Sequence, residues 1–133
     1  MEIEHGNVET ARHKSAYLAC GPLDGPRIYF VHGWPELSLS WRHQLLTLGN
    51  LGFRAIAPDM RGYGNSSNYS KHEDFALREA VQDMVELHAA LGKEPAVWVG
   101  HDWGAPVVWS VALHHPEIVH ALANLCVPLG LEA

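Results

Sequence analysis

A chain of 133 residues, 47% hydrophobic and 18% charged, can bury a core and fits one domain, which excludes a disordered tail. Its formal net charge of −6, with no basic block, excludes nucleic acid and anionic membrane surfaces as partners. No stretch approaches the ~20 apolar residues of a membrane span, and Met1 to Thr10 is too polar for a secretory signal.

Ser15 to Cys20 reads as a strand, closed by the turn signal Gly21-Pro22-Leu23-Asp24-Gly25-Pro26. Arg27 to Val31 is a short β-branched and aromatic run, a buried strand. Trp41, Leu45 and Leu48 give Ser40 to Leu48 helical spacing, with Gly49 as the expected stop. Phe53 to Ala57 is another short strand, stopped by Pro58. Over Phe75 to Leu91 the residues Leu77, Val81, Met84, Val85, His88 and Leu91 share one helical face, with charges on the other. Asp74 is the expected cap of that helix, Gly92 its expected end, and His88 a satisfied interior histidine. Ala96 to Val99 reads as a strand of small and branched residues. Trp103 to His114 reads as a helix apolar on most sides, hence largely buried. Ile118 to Val127 is the last expected strand, after a turn at Pro116. Strands of nearly continuous apolarity alternating with helices predict an α/β fold, a mostly parallel sheet with helices on both faces.

Cys20 and Cys126 stand far apart, in neither a disulfide framework nor a metal pattern, so a reducing, cytoplasmic compartment is expected. The ten histidines lack zinc spacing, and neither metal nor cofactor is expected.

Gly100-His101-Asp102-Trp103-Gly104 lies between a predicted strand and a predicted helix, the setting of a nucleophile elbow. Gly100 and Gly104 remove side chains that would collide in so sharp a turn. The central residue of such a turn sits in an unfavourable backbone region, at a cost of about 1–3 kcal/mol. A serine there needs a base before it attacks. A carboxylate, with an ordinary pKa of about 3.9, is already ionised at neutral pH. Asp102 therefore suits attack on saturated carbon bearing a strained or good leaving group, which leaves an alkyl ester. Water must then cleave that ester, with a general base and an oxyanion hole. The Trp103 backbone N–H, at the helix start, is one candidate donor. His32-Gly33-Trp34-Pro35 follows the Arg27–Val31 strand, in the loop that supplies the other. Gly33 allows a tight turn, Pro35 fixes the path, and the Trp34 N–H would point into the site. The Trp34 and Trp103 side chains are expected to line a substrate pocket, and His32 to be structural. The plain alternative is an ordinary turn with Asp102 as a helix cap, but the agreement of both motifs favours the nucleophile.

His32-Gly33-Trp34-Pro35-Glu36, Ser40-Trp41-Arg42-His43-Gln44, Pro58-Asp59-Met60-Arg61-Gly62-Tyr63-Gly64 and Gly100-His101-Asp102-Trp103-Gly104-Ala105-Pro106-Val107 resemble, in order and spacing, successive motifs of epoxide hydrolases in the α/β-hydrolase superfamily. The resemblance implies a nucleophile at Asp102, an oxyanion hole from the Trp34 and Trp103 backbones, and opening of an epoxide to a vicinal diol without a cofactor. Haloalkane dehalogenases, the alternative, carry a halide-holding Asn where this sequence has Trp34. The family's lid, later acid and C-terminal His find no counterpart in residues 1–133, so the expectation is a partial α/β-hydrolase core domain over 1–133, lid and C-terminal strands absent, without turnover alone. The family places its epoxide-activating tyrosines on the lid, which sets aside Tyr17, Tyr29, Tyr63 and Tyr69. Asp59, Arg61 and Gly62 are expected to shape a loop near the site through turn hydrogen bonds. His101 is expected to point away, and His114, His115 and His120 to lie roughly 16 Å or more along the next helix. The expected partners are a small-molecule epoxide and a C-terminal piece or a second copy. A further alternative is a non-catalytic fragment that associates through an unpaired edge near Leu122–Val127.

Overall fold

The computed structural model describes residues 1–127, so the last six residues of the expected 1–133 domain lie outside it. Its centre is a six-stranded sheet in the order β1-β2-β4-β3-β5-β6. The strands are β1 (Glu4–Glu9), β2 (Lys14–Cys20), β3 (Arg27–Val31), β4 (Arg54–Pro58), β5 (Ala96–His101) and β6 (Val119–Leu125). The pairs β3–β4, β3–β5 and β5–β6 are parallel, as the apolar runs predict. The pairs β1–β2 and β2–β4 are antiparallel. The β1 strand was not expected. It is polar and half-exposed, so alternation barely registers, but Val8 reaches the core and the Glu4 carboxylate accepts from Arg54 Nη1 at 2.7 Å.

Strand β3 shows why its sequence is apolar at every step: it is buried on both faces. Ile28 and Phe30 face Trp41 and Leu45 on one side, while Tyr29 and Val31 face Met84, Leu87, Val108 and Val111 on the other. The helices are α1 (Arg42–Asn50), α2 (Leu77–Leu91) and α3 (Gly104–His114), with α1 on one face and α2 and α3 on the other. His88 is satisfied inside, donating from Nε2 to the Glu94 carbonyl at 2.8 Å. Among the described residues no helix is long and apolar enough to cross a membrane.

Several local expectations are corrected. Asp74 does not cap α2; it lies in a separate 3₁₀ turn, His72–Phe75, and Ala76 holds the cap position without a side-chain bond. Its carbonyl is taken instead by Arg61 Nη1, at 2.5 Å. Gly49 does not end α1 but lies inside it, because a β-carbon there would stand 2.6 Å from Cys20 Sγ. The turn before α1, Ser38–Trp41, is 3₁₀. The β6 strand begins at Val119, after a 3₁₀ turn at Pro116–Ile118. Only one side of α3 is buried: Leu113 is 58% exposed and His114 is exposed. The apolarity of α3 therefore exceeds what the other described residues cover.

The start of α3 crosses β3 closely. A β-carbon on Gly104 would run into the Val31 carbonyl oxygen. Gly104→Ala is therefore expected to lower stability by about 1–3 kcal/mol, read by urea denaturation, because neither backbone can yield without moving the sheet. An unchanged midpoint would show that α3 can slide.

Candidate active site

Asp102 sits in the turn between β5 and α3 with φ 56°, in the left-handed region that an L-residue occupies only when its surroundings hold it there. The turn is fixed by the Ala105 N–H donating to the Asp102 carbonyl at 3.0 Å and the Asp102 N–H to the Leu125 carbonyl at 3.4 Å. Asp102 is not the helix cap of the plain reading; Trp103 holds that position, without a side-chain cap bond. The flanking glycines meet close neighbours: a β-carbon on Gly100 would stand 2.8 Å from the Gly104 carbonyl oxygen.

The loop after β3 comes to meet this turn. The Trp34 N–H donates to Asp102 Oδ2 at 3.2 Å, and the Trp34–Pro35 peptide is cis. Gly33 is needed for the approach, since a β-carbon there would lie 2.6 Å from Asp102 Oδ2 and 2.7 Å from the Trp103 nitrogen. The two backbone nitrogens expected to form an oxyanion hole thus border the same small space beside the carboxylate.

His32 ties this loop to the next one. The Met60 N–H donates to Nε2 at 2.9 Å, so the other ring nitrogen carries the proton and donates from Nδ1 to the Gly33 carbonyl, also at 2.9 Å. That pattern needs a neutral imidazole, and burial accordingly pushes the His32 pKa below its ordinary 6.5. Burial acts likewise on His13. The folded chain therefore resists protons that the unfolded chain binds, so stability holds above about pH 6.5 and falls as the pH drops below it. His32→Gln, which keeps an acceptor and a donor but takes no proton, is expected to flatten that fall by up to about 1 kcal/mol per pH unit. Denaturation midpoints at about pH 7.5 and about pH 5.5 check it, and equal slopes in the two proteins would rule it out.

Beside Asp102 lies a cavity of about 400 Å³. Trp34 and Trp103 line it, as expected, although in this chain their side chains are 65% and 71% exposed. Phe75, Leu77, Val107 and Pro106 complete an apolar wall, with Met60, Arg61 and Tyr63 from the loop after β4. These residues were not identified from sequence as lining residues; only the closeness of the Pro58–Gly64 motif to the site was. Tyr63 packs edge-on against His32, ring centres 5.0 Å apart.

The Asp59 part of the loop reading holds: its carboxylate accepts from the Ser38 N–H at 3.0 Å and the Asn65 N–H at 3.2 Å. Arg61 is different. It is a buried ion-pair residue, donating from Nε and Nη2 to Asp83 at 2.7 and 2.8 Å, with its guanidinium 4.5 Å over the Tyr69 ring. Asp83, on α2, also meets Arg12 and lies 3.5 Å from His13 Nε2. His101 turns to the opposite face of the sheet, near Trp41 and 3.9 Å from Glu36. His114, His115 and His120 lie on or beyond the far end of α3.

The residues 26–132 match a family model described as alpha/beta hydrolase fold. The chain is 43% identical over 121 residues to Epoxide hydrolase A of Mycobacterium tuberculosis, covering 91% of this chain and 38% of that protein. It is 46% identical over 105 residues to Bifunctional epoxide hydrolase 2 of Rattus norvegicus, covering 79% and 19%. A crystal structure of an epoxide hydrolase from Vigna radiata superposes with a TM-score of 0.92 at 42% identity, over 97% of this chain and 40% of that one. The chain thus spans well under half the length of these relatives. By sheet order, by the elbow at Asp102 and by the family match, this chain belongs to the alpha/beta hydrolase fold family.

Proposed function

We propose that this chain carries the nucleophilic part of an epoxide hydrolase, which opens an epoxide to a vicinal diol through a covalent ester on Asp102. The observation that carries the reading is the Asp102 carboxylate, held on a left-handed turn with the Trp34 N–H 3.2 Å from Oδ2. With Oδ2 so engaged, Oδ1 is the attacking oxygen. It forms a bond to one epoxide carbon, the carbon–oxygen bond of the ring breaks, and the alkoxide takes up a proton to become a hydroxyl. Water then adds to the ester carbonyl, and its negative oxygen is Oδ2, beside the Trp34 and Trp103 nitrogens, where backbone donors stabilise it most. Collapse returns the carboxylate and releases the diol. Water is the co-reactant, and the atoms balance without a cofactor.

The printed names of the relatives support the epoxide as substrate. The apolar cavity suits a substrate with a hydrocarbon arm. In this reading the hydrolytic base comes from outside the described residues, since the buried His32 and His88 spend their ring nitrogens on Met60, Gly33 and Glu94. The partners in this reading are a small epoxide and the polypeptide, further chain or second copy, that supplies the base. Cys20 and Cys126 are both free thiols, in keeping with a cytoplasmic setting.

Intact mass after incubation with a simple aryl epoxide tests the proposal. The chain is expected to gain the mass of one epoxide and not to turn over. Regular diol formation by the chain alone would overturn the assignment of the base. Halide release from a haloalkane, with no epoxide adduct, would replace the epoxide by the dehalogenase reading.

A further inference from the structure

The cavity beside Asp102 has one wall feature that the proposed reaction does not use. Most of its lining is apolar or aromatic. His32 and Arg61 also reach it, but their polar atoms are engaged inside the protein, His32 with Met60 and Gly33, Arg61 with Asp83 and the Asp74 carbonyl. Tyr63 brings the wall's only hydroxyl among the described residues. Two contacts fix this residue: its ring stands edge-on to His32 at 5.0 Å, and its backbone N–H closes a turn onto the Met60 carbonyl at 2.9 Å. Neither contact uses the hydroxyl. The donor is therefore pinned in place and still available. The indole N–H groups of Trp34 and Trp103 belong to far more exposed side chains and are less constrained.

Where this hydroxyl can act follows from the direction of attack. A carboxylate that displaces the ring oxygen pushes it to the side of the carbon away from Asp102. Tyr63 stands on the Asp102 side of the cavity: its ring packs on His32, the residue next to Gly33, whose backbone adjoins the Asp102 carboxylate. On that placement the hydroxyl would meet the substrate's arm, while the oxygen would depart on the opposite side of the carbon. Burial first, and the Asp102 charge second, hold the phenol pKa above its ordinary value, so it remains a proton-bearing donor at working pH.

Resting on the epoxide reading above, we propose that Tyr63 is a specificity-determining residue whose hydroxyl donates a hydrogen bond to an acceptor oxygen on the substrate's side arm. It selects epoxides that carry an ether or carbonyl oxygen near the ring over hydrocarbon epoxides of the same shape. An apolar pocket discriminates little between such isosteres, while one oriented donor separates them.

The test compares benzyl glycidyl ether with its analogue in which a methylene replaces the ether oxygen. Two readouts are taken on the wild-type chain and on Tyr63→Phe: the rate of adduct formation by intact mass, and the affinity from quenching of tryptophan fluorescence. Tyr63→Phe is expected to lower the ether-to-methylene ratio about five- to tenfold, as loss of one neutral hydrogen bond would do. A ratio unchanged within about twofold overturns the proposal. A general loosening of the pocket would weaken both compounds together and leave the ratio alone, which also overturns it. If neither compound forms an adduct on the wild type, the epoxide reading fails, and the affinity ratio still decides the role of Tyr63.

Discussion

Asp102→Asn is expected to abolish adduct formation with an aryl epoxide, a fall of at least about 10⁴-fold, while the chain stays folded. The amide oxygen carries no charge and cannot form a stable ester with an epoxide carbon. The substitution is otherwise mild. Asn tolerates the left-handed region better than other side chains, so the φ of 56° adds no strain. Its amide oxygen can still accept from the Trp34 N–H, which now meets Asp102 Oδ2 at 3.2 Å. Stability should therefore stay within about 1 kcal/mol of wild type, checked by thermal denaturation beside the mass measurement. The pairing of results matters. Adduct lost with stability kept isolates the nucleophile. Adduct retained would move the nucleophile to another carboxylate, and the buried Asp59, with both oxygens accepting backbone N–H bonds, would be a poor substitute.

The elbow was legible in the sequence because its requirements are local. Gly100, Asp102 and Gly104 lie within one turn, and the close approaches that demand glycine follow from the sharpness of that turn alone. The Gly33 loop was legible for the same reason, once its strand was placed. The strands β3 and β5 were legible because burial on both faces leaves an unbroken apolar run. What was not legible depends on distant partners. The β1 strand exists through its pairing with β2 and the ion pair of Glu4 with Arg54, fifty residues away in the chain. The start of α2 shifted to Leu77 because the Asp74 carbonyl is recruited by Arg61. The cavity wall joins Arg61 and Tyr63 to Phe75, Leu77 and Val107, and no periodicity links those positions. Asp83 misled most. It sits in α2 among the charges assigned to the solvent side, yet it is 1% exposed.

That burial sets up the largest stability effect expected here. Asp83→Asn should destabilise the chain by about 3–5 kcal/mol, because it leaves the buried guanidinium of Arg61 without its counter-charge. Arg61 would keep the Asp74 carbonyl, the face of Tyr69 and one amide oxygen at position 83, none of which carries a full negative charge. At about 2–4 °C per kcal/mol the melting temperature should fall by roughly 6–20 °C. Arg12→Ala makes the useful comparison. Arg12 meets Asp83 too, but its side chain is 29% exposed and it also pairs with Glu86 at 3.0 Å. Water screens that pairing, so its loss should cost at most about 1 kcal/mol. Matched urea denaturation of the two variants decides the point, and similar small losses would mean that Arg61 finds water when Asp83 is neutral. The consequence reaches the site, since Arg61 stands in the cavity wall and its chain neighbours Met60 and Tyr63 pack on His32. A buried ion pair of this kind is a poor source of net stability, and apolar residues of the same size can do as well. Its value lies in direction: a guanidinium clamped by one carboxylate can hold its loop in one place, and that loop forms the wall facing Asp102.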